Sequence, residues 1–175
     1  MHIRTLLQMR SLVIGAALAA LVIPLTASGS TSSRLDSTAQ RDADRYQIDQ
    51  IEVHWHDATS HHNINEMMAL WAPGAVFNIN GQTLTGKAQI KHWFLTQNPA
   101  FHHHWESDTP TYKIRVTING DKGTLYFECH YVDADPNSPT YKQVKSVVAA
   151  DQQVARINGR WVITSSVAAS PDLTP

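Results

Sequence analysis

The side chains able to do chemistry in this chain are mostly imidazoles. Ten of its 175 residues are histidine, and seven of them fall into two groups: His54, His56, His61 and His62, then His102, His103 and His104. With an unperturbed pKa of about 6.5, a histidine can accept a proton at neutral pH and hand it back. A carboxylate on its far nitrogen fixes the tautomer and raises the basicity. Asp133 is the nearest candidate for such a partner, although in the bend Asp133-Ala134-Asp135-Pro136 it also fits a turn-capping role. The histidines also invite a metal, but none shows the i, i+4 helical pair or the Cys/His spacing of an established zinc site. No metal is therefore assigned, and only adventitious nickel or zinc binding is expected. The aromatic residues Trp55, Phe77, Trp93, Trp105 and Tyr131 could line an apolar ligand pocket or fill a core.

Periodic apolar segments must position these groups. Ile48, Ile51, Trp55 and Ala58 recur at steps of three and four, which places them on one face of a helix; His56 points away from that stripe and His54 sits at its edge. Asn63 restarts the chain as a helix cap, with Glu66 three residues on reaching back to it. Ile64, Met67, Met68 and Trp71 continue a second helix that Pro73-Gly74 ends. Residues 75–79 read as a strand, Asn80-Gly81 as a two-residue turn and residues 82–84 as the return strand. A third helix over 86–97 buries Ile90, Trp93 and Phe94.

From residue 112 the period becomes two. Strands are expected around 114–118, 125–132, 144–157 and 161–163, with turns at 119–123 and at Asn158-Gly159. Leu125, Phe127, Cys129 and Tyr131 share one face of the second of these. Tyr126, Glu128, His130 and Val132 share the other, outer face, to which Val147 and Ala149 add apolar area. The order implies an α+β fold in which a curved, cone-shaped antiparallel sheet wraps three N-terminal helices and leaves an open end as a pocket. An outer face carrying Tyr, Val and Ala implies a homodimer or trimer.

The ends of the chain read differently. Arg4 and Arg10 precede an apolar run over 11–25, and Ala27-Ser28-Gly29 offers small residues for cleavage, so residues 1–29 read as a secretory signal. The run is shorter than the ~20 residues of a membrane span and contains Pro24, so no stable membrane insertion is expected once it is removed. The domain reading is thus signal 1–29, flexible tether 30–41, folded domain 42–170 and tail 171–175, with the mature protein periplasmic or secreted. Without the signal, 12 Lys+Arg face 15 Asp+Glu, and no basic run remains, which argues against nucleic acid. Cys129 is the single cysteine, so no intrachain disulfide can form.

The element order, together with Trp55-His56-Asp57-Ala58, Leu70-Trp71-Ala72-Pro73, Gly86 with Ile90 behind it, and Asn158-Gly159-Arg160-Trp161-Val162-Ile163, resembles the SnoaL-like branch of the nuclear transport factor two-like superfamily, and within it the scytalone dehydratase group. The resemblance covers Asp42 to about Ala169. It implies a pocket in which Trp55 is a wall and the acidic member of a His-Asp pair falls on Ser60, after Thr59; the carboxylate is absent. The family histidine falls within His102 to His104, taken to lie on a strand with His102 and His104 on one face. A second histidine position falls on Asp133.

Dehydration, isomerisation or ring closure in such a pocket needs a base beside a carbonyl and a donor for the enolate oxygen. The expectation is an exported, cofactor-free lyase or isomerase acting on a small apolar carbonyl or hydroxyl compound. His104 would be its base, Asp133 the partner, Thr59 and Ser60 donors, and Trp55, His102, Trp105 and Tyr131 ligand contacts. The missing carboxylate favours the rival reading, a non-catalytic module binding a small ligand or protein on the same fold; a structural role with a filled pocket is a third.

Overall fold

The computed structural model describes residues 29–110, 113–169 and 171. The signal reading lies outside these residues apart from Gly29, as does the tail beyond Pro171. Helix α1 runs Gly29–Ser60. Ile48, Ile51, Trp55 and Ala58 are all buried, as their spacing requires. The stretch expected to be an unstructured tether is helical, since a helix already nucleated downstream extends at little cost. α1 carries a second buried stripe, Asp44, Ile48, Glu52, His56 and Thr59, next to the apolar one.

His62 takes a left-handed conformation (φ 53°) at the helix end, and Asn63 caps helix α2, Ile64–Ala69, by accepting the Glu66 N–H. Glu66 returns the contact through its carboxylate to the Asn63 amide at 3.1 Å, not to the backbone. α2 stops earlier than its apolar spacing suggests. Ala72 precedes Pro73, whose ring disfavours helix there, so Trp71 opens strand β1, Trp71–Ile79, while its ring stays in the core. Asn80-Gly81 (φ 51° and 75°) makes the tight turn to β2, Gln82–Thr85, and helix α3, Gly86–Thr96, buries Ile90, Trp93 and Phe94.

The triple histidine is not on a strand. Asn98 caps Ala100 and Pro99 pre-sets φ, so Pro99–Phe101 forms a single 3-10 turn, and His102 to His104 complete the bend before β3, Trp105–Asp108. Strands β4 (Arg115–Asn119), β5 (Lys122–Asp133), β6 (Val144–Ile157) and β7 (Arg160–Ala169) complete the chain. The seven strands form one sheet in the order β2-β1-β7-β6-β5-β3, with β4 also on β5. The sheet is mixed rather than wholly antiparallel, because β1 and β7 pair in parallel.

Inside the sheet, α1 and α3 meet an aromatic cluster: Trp55 lies 5.5 Å from Phe94 and 5.6 Å from Phe127 between ring centroids, and Phe77 lies 5.3 Å from Trp93. On the outer face the expected exposed row is partly closed by the chain itself. β3 and β4 pair with the same edge of β5 on either side of Glu128. Thr109 fills the gap by donating to the Glu128 carbonyl, and Lys113, His130 and Tyr126 approach the Glu128 carboxylate, which is buried. Ala149 is buried as well.

A polar clamp fixes the first half of α1 to the sheet. Buried Asp44 accepts hydrogen bonds from Arg156, Gln40 and the Trp161 indole, the last at 3.2 Å, and Arg156 also bonds Asp121. Burial alone would raise the Asp44 pKa, but the hydrogen bonds from Trp161, Arg156 and Gln40 and the Arg156 charge bring it below its ordinary 3.8. Asp44→Asn should therefore cost about 2–4 kcal/mol at pH 7, measured by urea unfolding. The folded pKa is the lower one, so the contribution is complete above pH 3.8 and lost as pH falls through the folded value. The urea midpoints of the two proteins should converge in that acid range.

Candidate ligand cavity

The open end of the cone holds a cavity of about 460 Å³ whose wall includes Trp55, Trp93, Trp105, Cys129, Tyr131 and Ser166. That volume suits a molecule of one or two rings. Tyr131 is contributed by β5, packs 6.0 Å from Trp105 between ring centroids, and is almost fully buried. Burial holds its phenol well above the ordinary 10.0, the neighbouring Cys129 adds to the rise, and Trp55 and Ser107 oppose it. At neutral pH Tyr131 is a phenol, not a phenolate. Burial likewise pushes the Cys129 thiol up to about 12.

Behind Tyr131 runs a line of buried polar groups from α1. Glu52 and His56, 6% and 7% exposed, stand four residues apart on one helical face, with Glu52 Oε1 3.0 Å from His56 Nε2. Nε2 also lies 2.6 Å from Thr109 Oγ1, whose hydroxyl proton goes to the Glu128 carbonyl. Both neighbours of Nε2 are thus acceptors, which assigns the ring proton to Nε2 and leaves Nδ1 as the acceptor. Nδ1 faces Ser107 Oγ at 2.5 Å. Ser107 stands opposite Tyr131 in the β3–β5 register. Glu52, His56 and Ser107 thus form a line of polar groups that ends beside Tyr131, the register partner of Ser107 in the cavity wall.

The residues expected from sequence separate into three places. Trp55, Trp105 and Tyr131 line the cavity. Thr59 is fully buried and spends its hydroxyl on the Trp55 carbonyl at 2.7 Å, while Ser60 Oγ accepts the Ser107 N–H at 3.0 Å and lines a shallow groove with His56 and His104. His102, His104 and Asp133 line a second shallow pocket at the rim, sharing Trp105 with the cavity. His104 is exposed, and its ring lies 6.4 Å from that of His62.

Asp133 accepts from the Ser138 and Thr140 hydroxyls, each at 2.6 Å, and from the Asp135 N–H. Those bonds lower its pKa and make it the organiser of the 133–140 loop. Its hydrogen bonds, among the described residues, include none to His104. Glu52 and Ser107 were not picked out from sequence, and His56, expected to point away from the buried stripe, is itself buried because Glu52, Ser107 and Thr109 meet its ring. The signal was present: Glu52 and His56 are four apart, in phase with buried Ile48.

The thiol chemistry of the wall is directly measurable. Cys129 should react with a maleimide or disulfide reagent at pH 8 at least 10²-fold more slowly in the folded protein than in urea, because burial keeps it protonated. Equal rates would contradict the buried placement.

Among the described residues no helix is long and apolar enough to cross a membrane, and no three of His, Cys, Asp and Glu gather as a metal site. No curated protein matches the chain in sequence. Solved structures share its fold at low identity. One is a nuclear transport factor 2-like protein with a cystatin-like fold from Novosphingobium aromaticivorans, 16% identical over 83% of this chain and 94% of that one, with a TM-score of 0.70. A second is a candidate dehydratase of the same superfamily from Streptomyces avermitilis, at 15% identity, 76% and 99% coverage and a TM-score of 0.57. A third is a candidate ketosteroid isomerase from Shewanella frigidimarina, at 14% identity, 70% and 94% coverage and a TM-score of 0.54. The SnoaL-like domain model matches residues 40–167, nearly the whole of the helix-and-cone unit, and the chain belongs to that family.

Proposed function

We propose that the protein is an exported, cofactor-free lyase or isomerase, of the dehydratase or cyclase kind, which moves a proton on a small apolar carbonyl or hydroxyl compound held in the cavity. Tyr131 is the group that meets the ligand. The observation that carries this reading is the line Glu52, His56, Ser107, which ends opposite Tyr131, the one phenol among the described residues of an otherwise largely apolar wall.

A ligand proton taken up by the Tyr131 oxygen displaces the phenol's own proton to Ser107 Oγ, whose proton passes to His56 Nδ1. The imidazolium so formed faces the Glu52 carboxylate, which offsets the charge. Run in reverse, the line returns the proton to a different carbon, an isomerisation, or to a leaving hydroxyl that departs as water, a dehydration. No electron is transferred, and the protein ends in its starting protonation state. His102 and His104 stand at the rim, where a ligand enters past Trp105.

The second reading, a non-catalytic holder of a small ligand, is favoured by the absence of any carboxylate or imidazole among the described residues of the cavity wall itself. Turnover of a library of small aryl and alkyl carbonyl compounds decides between them. Tyr131→Phe should lower kcat by about 10²- to 10⁴-fold and His56→Gln by about 10²-fold, each with little change in ligand Kd, whereas His104→Ala should keep most of the activity. Undiminished turnover in Tyr131→Phe would sink the reading, and saturable binding without turnover in the unmodified protein selects the holder.

Export rests on residues 1–29, and assembly on the half-buried Tyr126, Val132 and Val147 of the outer sheet face. Protein recovered after export should begin between Ser28 and Thr31 by N-terminal sequencing and sediment as two or three chains. A retained Met1 or a single-chain mass would remove the respective claim.

A further inference from the structure

Lys145 stands apart from the rest of the cavity wall. It is the one charged residue among the wall's described residues, which otherwise offer aromatic rings, alkyl groups, amides, hydroxyls and a thiol. Its presence there departs from the alternation of β6. Ser146 pairs with Tyr131 and lines the cavity, so regular pleating would send the next side chain to the other face. The β5–β6 ladder is broken at that point: Tyr131 faces Ser146 but Val132 faces Val144, which leaves Lys145 unopposed in a β-bulge. A bulge of this kind re-aims the side chain it carries. Lys145 accordingly lines both the cavity and the rim pocket of His102, His104 and Asp133. Its exposed ammonium donates to the Thr140 hydroxyl at 3.0 Å, and that hydroxyl donates to Asp133 at 2.6 Å. One of the three ammonium protons is thereby used, which leaves two for a ligand.

We propose that Lys145 receives a carboxylate on the ligand, so that the compound held here is an oxo or hydroxy acid with an apolar body and its charged end at the rim. This rests on the reading of the cavity as a ligand chamber, not on the chemistry assigned to Tyr131. The two carboxylates of the rim pocket are absent from the described cavity wall and are committed to their own loop. Asp133 accepts from Ser138, Thr140 and the Asp135 N–H, and Asp135 accepts from the Asn137 N–H. Asp133 offsets part of the Lys145 charge and, through Thr140, holds the ammonium in place, while the ammonium stays open to the cavity. Exposed His102 and His104 can each add an N–H at the same rim. A carboxylate fits better than a phosphate dianion, because the described wall supplies a single cation and no arginine fork. The register also sets where the acid sits on the molecule. Opposed residues on neighbouring strands lie about 5 Å apart and the next residue about 3.3 Å further along, so the backbones of Tyr131 and Lys145 are roughly 6 Å apart. With the reach of the lysine stem added, a chain of a few atoms separates the carboxylate from the carbon that meets Tyr131.

Two probes isolate the charge: a phenyl ketone whose alkyl chain ends in a carboxylate, and the methyl ester of the same acid. In low salt, calorimetric Kd values of the unmodified protein should favour the acid by about 3- to 10-fold, the range open to an ion pair that solvent still reaches. The preference should fall to within about 2-fold in Lys145→Met, which keeps the apolar stem, and reverse towards the ester in Lys145→Glu, while the ester binds the parent and Lys145→Met alike. About 1 M sodium chloride should abolish the preference by screening. Lys122→Met removes the same charge from the opposite end of β5 and should leave the preference intact. Equal affinity for the two probes, failure of the unmodified protein to bind either, an undiminished preference in Lys145→Met, or an equal loss in Lys122→Met would overturn the proposal. A preference for the acid that persists in Tyr131→Phe while turnover is unaffected there removes the reading of Tyr131 and leaves the role of Lys145 standing.

Discussion

The constraint on which this structure turns is the need to satisfy polar groups that one helix carries into the core. α1 buries an apolar stripe, and the adjacent stripe of Asp44, Glu52, His56 and Thr59 goes in with it. Each of these groups would be costly to bury alone. Thr59 turns back on its own helix, Asp44 is met by Arg156 and Trp161, and the Glu52–His56 pair is met by Ser107 and Thr109. The short strand β3 and the residue after it are therefore held where the helix needs hydrogen-bonding hydroxyls. Its place on the edge of β5 brings Ser107 against Tyr131. The arrangement that neutralises the helix's polar edge is the same one that connects it to the cavity.

The apolar packing supplies rigidity for that connection. Trp55 stands between the two systems: its ring contacts Trp71, Phe94 and Phe127, while it also lines the cavity beside Tyr131. A hydrogen-bonded line of several side chains works only if their backbone anchors hold still. Here they are held by a helix wedged against a sheet whose aromatic rings interlock.

Much of the fold was legible in the sequence because local rules and tertiary needs agreed. The two Asn-Gly turns, the long strand 144–157 and the buried face of α3 required nothing beyond period and turn chemistry. Where the reading failed, a local restriction or a distant partner outweighed the pattern. Trp71 kept helical spacing, but Pro73 forced its neighbour into extended backbone. His102 to His104 alternate like strand residues, yet the Asn98 cap and Pro99 wind the chain just before them. The candidate site was harder still. Ser107 and Thr109 are ordinary hydroxyl residues until His56, some fifty positions earlier, lies against them. Asp133 could be weighed as a turn residue because its partners Ser138 and Thr140 are close in sequence.

The parallel pairing of β1 with β7 has a bearing on how the molecule comes to exist at all. β7, which leaves the ribosome after the other six strands, is the seam between the β1–β2 hairpin and the β6–β5 half. Until Arg160 to Ala169 emerge, the two halves have no shared edge, and the aromatic rings of the first half lack the lid that closes over them. Contacts this remote in sequence make for late, slow closure and a prolonged period of sticky intermediates. The sheet therefore becomes one piece only when Arg160–Ala169 takes its place between the two halves.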